Sequence, residues 1–546
     1  MKAHLLYKDR DFDWRWALQA AAIRETERNG RRIQVQNFDW AAGLPWNAEA
    51  LTADLGLEPI FKTMARSDDG IYVVSRKALL AAVQSDLDTI RYRQGILKEA
   101  LQHPEALREL YAIAVEANEK LKGFYLGPLA RYPDSVLRDG IETMGTLLVY
   151  LKKLRGAAAR HSDLFRSEGW TTFFSMVKRN LDDDYFESVE AHLRELRFRH
   201  GELISAEIGR AHRGRRYLLH RLPHRKWSLW EWWTDLFADR SNVFSFELAP
   251  RDEAGAQAVQ GLRNRGIALA ATALGQAADH VRDFFSMLRA ELSFYVGCLN
   301  LHQFLRADGE PTCFPTPHDS SERLLSFVGL YNVALAVTLN SRAVGNSANA
   351  DRKNLVVITG PNSGGKSTFL RSIGIAQLMM QCGMFVPADM FRGSLCKGLF
   401  THFKREEDTA LESGKFDEEL KRMTEIVDHV GSQSLILFNE SFAATNEREG
   451  SEIAHQIITA LLDAGVRAMC VTHMYQLARR FYVEFQQISL FLRAGRDTKG
   501  VRTFRLTDGE PSPTSFGEDL YRSIFEDSIR TEHADANCMA AMSGRQ

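Results

Sequence analysis

Four residues at fixed spacing, Gly360, Gly365, Lys366 and Ser367, carry the clearest chemistry in this chain; they complete the pattern GxxxxGK[ST] within TGPNSGGKST. Each type has a job when the ligand is a phosphate. The glycines let backbone N–H groups curl around an anion, and a helix opening at Lys366 points its positive end at it. The Lys366 ammonium can reach the β- and γ-phosphates of a nucleotide, and the Ser367 hydroxyl can ligate Mg²⁺. The whole loop, Gly360, Pro361, Asn362, Ser363, Gly364, Gly365, Lys366, Ser367 and Thr368, is therefore expected to cradle nucleotide phosphates.

Other stretches supply what phosphoryl transfer needs beside such a loop. SLILFNE is an apolar strand ending in Asn439 and Glu440. Glu440 stands where a general base orients water for in-line attack, and Asn439 where an acceptor serves Mg²⁺. In an extended strand, neighbouring side chains face opposite ways, so Glu440 is not expected to fill both roles. VTHMYQLA ends a strand in His473, a ring that is either a γ-phosphate contact or a structural histidine. Ser413 and Gly414 in LESGKF begin an amphipathic helix whose backbone donors suit an anion. The phosphate loop of the same chain lies elsewhere, so the partner of those donors is either the nucleotide of a second subunit or nothing beyond a plain helix cap.

The elements that must position these groups read as a β/α alternation after the Pro-rich PTCFPTPH at 311–318. Strands are expected at 355–359, 434–438, 468–472 and 487–492, with helices at 367–380, 416–430 and 450–463 and a last hairpin turning at Asp497 to Gly500. Parallel strands alternating with helices place a ligand at the strands' C-terminal ends. Before this, residues 75–310 show helical periodicity throughout; Leu274, Ala278, Val281, Phe285, Leu288, Leu292, Tyr295 and Leu299 sustain one seam. Inside it, residues 194–226 are strongly basic, with Arg210, Arg213, Arg215 and Arg216 at the centre and WSLWEWW following. Such a stripe fits contact with a phosphate backbone, or is a solvated helix face. The expected division is a small α-rich cap at 1–60, a helical region at 61–310, an α/β domain at 311–525 and a disordered tail at 526–546.

With 546 residues the chain exceeds a single core. Its net charge of −1 means that nucleic-acid affinity must come from local patches. Six cysteines without a CxxC pair suit buried thiols in a reducing compartment. The charged start MKAHLLYKDRDFDW is unlike a signal peptide, and no apolar run is long enough for a membrane span, so a cytoplasmic location is expected.

TGPNSGGKST, MFVPADMF, FNESFAATNEREG and VTHMYQLA, in that order and spacing, resemble the ATPase domain of the MutS family of DNA mismatch-repair proteins, within the ABC-type ATPases. The resemblance is strong over 311–525 and weaker over 55–310, where DLGLEPIF and DTIRYRQGIL look like the family's lever domain. It implies an ABC-type P-loop NTPase domain preceded by an all-α lever and clamp, with 194–226 at the clamp. It further implies a homodimer that sandwiches ATP and Mg²⁺ and couples them to DNA, with no membrane involvement. Three departures stand out. No mismatch-reading domain or Phe-x-Glu wedge is found in 1–60, so mismatch recognition is not implied. Asn439 replaces the usual aspartate, and Gly414 and Lys415 stand where Ser-Thr is usual. For adenine, no aromatic lies near Val344, and Tyr331 is a candidate. Two alternatives stay open: a slowly hydrolysing nucleotide-gated switch, and an ATPase acting on RNA or ribosomes.

Overall fold

The computed structural model describes residues 1–29, 38–121, 132–199, 201–209, 214–221, 246–339, 342–361, 364–404, 414–496 and 502–511. Asn362, Ser363, Ser413, Arg210, Arg213, the WSLWEWW run and the tail 526–546 lie outside the described residues. The chain forms two compact units: one of Met1–Ala3, Glu105–Arg166 and Trp170–Leu292, the other of His4–Pro104, Ser167–Gly169 and Ser293–Gln546.

Among its described residues, the regular elements of the first unit are helices apart from one hairpin. Its helices include Pro133–His161 and Asp183–Glu195, and a 55-residue helix, Glu253–Ala307, continues into the second unit. The expected seam is present: Ala278, Val281, Phe285, Leu288 and Leu292 are all buried. Phe165, Trp170, Phe173 and Phe174 pack into a local aromatic core, Trp170 stacking on Phe174 at 5.7 Å.

The basic stretch departs from its expected helix. Strands β1 (Leu203–Ile208) and β2 (Gly214–His220) pair antiparallel, Leu203 opposite His220, with a bulge between Ser205 and Glu207. The segment holds Leu203, Ile204, Ile208, Tyr217 and Leu219 around glycines 209 and 214, which is strand and turn chemistry. It rests on the long helix at Gly266, where an added Cβ would lie 2.5 Å from Ile204 Cδ1.

The second unit holds both larger sheets. β3 (Thr316–His318), β4 (Leu325–Leu330), β5 (Asn346–Asn349) and β7 (Met390–Ser394) form one, in the order β3-β7-β4-β5. The other contains β6 (Leu355–Thr359), β8 (Leu399–Phe403), β9 (Leu435–Asn439), β10 (Arg467–Val471), β11 (Ser489–Arg496) and β12 (Arg502–Asp508). Its order is β12-β11-β6-β10-β9-β8, all neighbours parallel except β11–β12.

β6 is buried at every position, as a central parallel strand covered on both faces must be. On one face, Val357, Ile436, Phe438 and Cys470 pack with Met423, Ile426, Ile458 and Phe481 from the helices Lys415–His429, Glu447–Asp463 and Tyr475–Glu484. On the other lies the helix Lys366–Gln381, buried almost all round. A Cβ on its Gly374 would sit 2.7 Å from Leu55 and 2.8 Å from Leu437, so the helix is clasped between the sheet and the helix Ala48–Leu55. Among the described residues no helix is long and apolar enough to cross a membrane.

Candidate nucleotide site and basic hairpin

Because β6, β9 and β10 run parallel with β10 between the other two, their C-terminal ends converge on one edge of the sheet. The loop that leaves β6 bears the phosphate-binding pattern. Gly360 has φ 122° and Gly365, which caps the following helix, has φ 87°; both angles favour glycine. Gly364 is needed for a different reason. A Cβ there would stand 2.9 Å from the Pro361 carbonyl oxygen and 3.1 Å from Ala494 Cβ.

Lys366 is 4% exposed, and its Nζ donates to the carbonyls of Gly360 and Pro361, each at 2.9 Å. Burial lowers the ammonium's pKa from its ordinary value, and the negative charge of Glu440 opposes that shift. Two of the three Nζ donors hold the loop's shape, which leaves one for a phosphate oxygen.

Ser367 Oγ donates to Asn439 Oδ1 at 2.7 Å. This geometry fits Mg²⁺: the hydroxyl proton is spent on Asn439, so the oxygen's lone pairs remain for a hard cation. The carboxylate next to it in sequence is Glu440.

Glu440 is not where strand alternation would put it. β9 ends at Asn439, and Glu440 turns into the left-handed region at φ 55°, its N–H donating to the Val471 carbonyl at 2.9 Å. Its charge acts on Lys366, and because the strand has ended, alternation no longer fixes the direction of its side chain relative to Asn439. Phe442 is also left-handed, at φ 62°, and its carbonyl lies 2.3 Å from where a Cβ on Gly450 would be. Gly450 thereby admits the tight turn that swings Glu440 round.

His473 is exposed in the short turn between β10 and the helix Tyr475–Glu484. Two side chains fix this turn: Thr472 Oγ1 accepts from the Met474 N–H at 3.0 Å, and Glu447 Oε1 from the Tyr475 N–H at 3.1 Å. Gly414 caps the helix Lys415–His429 with open space about its α carbon, and Asp417 and Glu418 occupy the helix's first turn. Tyr331 is 2% exposed and cannot stack on a base.

A different aromatic stands at the loop. Phe504 of β12 is 45% exposed, has φ 55°, and comes within 3.5 Å of a Cβ placed on Gly365. Asn346 grips the same stretch of β12, donating to the Phe504 carbonyl at 3.2 Å and accepting from the Leu506 N–H at 2.7 Å. Sequence reasoning missed Phe504 because only the folded hairpin brings it to the loop.

The basic hairpin belongs to the first unit. Arg215 and Arg216 are exposed on β2 and both reach Glu207, at 3.5 and 3.2 Å. They lie on one side because Arg216 has φ 51° beside the β1 bulge, which breaks the alternation.

Comparison with known proteins accords with this layout. Residues 85–308 match the model of the MutS2 N-terminal domain, and residues 356–521 match that of MutS domain V. DNA mismatch repair protein MutS of Nostoc punctiforme is 32% identical over 160 residues, 29% of this chain and 18% of that protein. Human MutS protein homolog 4 is 29% identical over 195 residues, 36% of this chain and 20% of that protein. Endonuclease MutS2 of Geobacillus kaustophilus is 30% identical over 187 residues, 34% and 24% of the two chains. The matched stretch thus spans about a fifth to a quarter of these relatives. With its N-terminal helical region and its sheet matching successive MutS-type domains, the chain belongs to the MutS family.

Proposed function

We propose that this chain is an ATP-hydrolysing, DNA-binding protein in which an ABC-type P-loop domain couples nucleotide binding to homodimerisation. The observation that carries this reading is the meeting of Lys366, the Ser367–Asn439 bond and Glu440 at the ends of β6 and β9, the parallel strands on either side of β10. Backbone donors of Gly364 and Gly365, the helix N-terminus and Lys366 bind the β- and γ-phosphates. Ser367 and Asn439 hold Mg²⁺, which supplies charge neutralisation on those phosphates when bound. Glu440 accepts a proton from the attacking water and orients it in line, and His473 faces the γ-phosphate. Phe504 offers its ring to the adenine. Ser413 and Gly414 present helix donors to the nucleotide of a second subunit, and the hairpin bearing Arg215 and Arg216, with Arg210 and Arg213 nearby in sequence, contacts the DNA backbone. The protein acts in the cytoplasm, at the nucleoid.

Asn439 favours one variant of this reading, a slow ATPase that dwells in its ATP-held state, because an amide binds Mg²⁺ without the charge of a carboxylate. ATPase rate measured with duplex, branched and single-stranded DNA, and in competition with structured RNA, tests the whole. Stimulation by DNA that RNA does not match is expected. In Arg215→Ala/Arg216→Ala protein, the log–log salt slope of DNA binding should fall by about 0.9 per lost phosphate contact. Equal stimulation by RNA would make RNA the substrate, and an unchanged slope would remove the hairpin from the interface.

A further inference from the structure

The helices Glu447–Asp463 and Tyr475–Glu484 begin just beyond the two strand ends that bear Glu440 and His473. They run side by side in the same direction, tied at three levels. At the top, Glu447 Oε1 accepts the Tyr475 N–H at 3.1 Å. One level down, Arg480 Nη1 bonds Glu452 at 2.7 Å, and lower still His455 Nε2 meets Glu484 at 2.7 Å. The top tie differs from the others. It is made to the backbone, at the first turn of a helix whose N-cap residue, Met474, supplies no side-chain cap. Glu447 therefore caps another helix across space, two residues beyond His473.

We propose that Glu447 is the positioning residue of His473, locking the turn that carries the ring to the loop that carries Glu440. The proposal rests on the reading that His473 serves the γ-phosphate. Thr472 holds the turn from its other side through the Met474 N–H, so the peptide linking the histidine to its helix is gripped at both ends. Without the Glu447 acceptor, the Tyr475 N–H turns to water and the His473 ring loses its fixed approach. A misplacement of about 1 Å at a reacting centre can cost on the order of 100-fold in rate. Glu447 is exposed, so the acceptor oxygen matters here and the charge contributes little.

The test is single-turnover ATP hydrolysis, with ATP affinity and thermal melting measured alongside. In Glu447→Ala the hydrolysis step should slow roughly tenfold with ATP affinity unchanged, while Glu447→Gln, which keeps the acceptor oxygen, should retain the wild-type rate. The double variant Glu447→Ala/His473→Ala should be no slower than His473→Ala alone. Wild-type rate in Glu447→Ala, or additive losses in the double variant, would overturn the positioning role. Wild-type rate in His473→Ala would instead overturn the reading of His473 on which it rests. A loss in Glu447→Ala that Gln does not rescue, or one that follows the melting temperature, would show that the residue acts through charge or stability and not through its acceptor.

Discussion

Restoring a carboxylate at position 439 tests the metal corner of the site directly. Ser367 Oγ already donates to Asn439 Oδ1 at 2.7 Å, so Asn439→Asp keeps an acceptor in place, removes an NH₂ that can only donate, and adds one negative charge. Two unit charges 4 Å apart attract by about 4 kcal/mol at the effective dielectric near a protein surface. A divalent cation enlarges that gain, and desolvation of the half-buried carboxylate removes several kcal/mol of it. Glu440 is the next residue, so a second carboxylate at 439 also meets like-charge repulsion. These effects oppose one another at similar size, so the gain that survives is small against each of them, on the order of 1.4 kcal/mol, which is tenfold. The Mg²⁺ concentration giving half-maximal ATP hydrolysis should therefore fall roughly tenfold in Asn439→Asp. Steady-state rates across a Mg²⁺ titration at fixed ATP measure it, with melting temperature as the control for folding. A midpoint that stays put or rises would mean that another oxygen, Glu440 first, already holds the metal, and the slow-switch reading would lose its basis.

Lys366→Ala should weaken ATP binding by roughly ten- to a hundredfold, since a charge-assisted hydrogen bond contributes about 1.5–3 kcal/mol; equilibrium binding of a labelled ATP analogue checks it, and wild-type affinity would remove the phosphate-loop assignment. Gly450→Ala should destabilise the protein by about 1–3 kcal/mol, because the new Cβ would meet the backbone carbonyl of Phe442 at 2.3 Å; urea unfolding reads the loss. Asp417→Asn/Glu418→Gln should lower the ATP concentration needed for dimerisation, since two acids in the first turn oppose an incoming phosphate at that helix end. Sedimentation in a Glu440→Gln background follows the mass, and a monomer at every ATP concentration would sink the shared-nucleotide idea.

What was legible in the sequence is what short-range chemistry dictates. The strands carrying the site lie within a residue or two of their expected bounds, because apolar runs closed by glycine or by polar ends have few other uses. The hairpin at 203–220 was not legible: alanine, glutamate and arginine favour helix, and the surrounding periodicity is helical, so the strand signals of Ile204, Tyr217 and the flanking glycines were outweighed. The backbone at Glu440 was not legible for another reason. Alternation was carried one residue past the strand's end, where the left-handed turn at Glu440 and Phe442 depends on Gly450, ten residues away.

The packing of residues 46–55 was invisible for the deepest reason, since no local pattern names a distant partner. Asn47 Nδ2 donates to the Leu399 carbonyl on β8 at 2.9 Å, and Trp46 stacks on His429 at 4.4 Å. Arg371, one turn into the phosphate-loop helix, donates to the Asp54 carbonyl at 2.7 Å, while Arg422 approaches the Asp54 carboxylate at 3.8 Å. Asp54 is 7% exposed, so removing Arg371 would take a donor from its buried carbonyl, and removing Arg422 would take a nearby positive charge from its buried carboxylate. The helix that begins at the phosphate loop and the helix that Gly414 caps are thereby anchored to the same residue. Close packing transmits displacement because it leaves no slack to absorb it. A displacement of the helix that starts at Lys366 is therefore expected to reach the helix Lys415–His429 through Arg371, Asp54 and Arg422, and substitution of Asp54 should weaken that coupling.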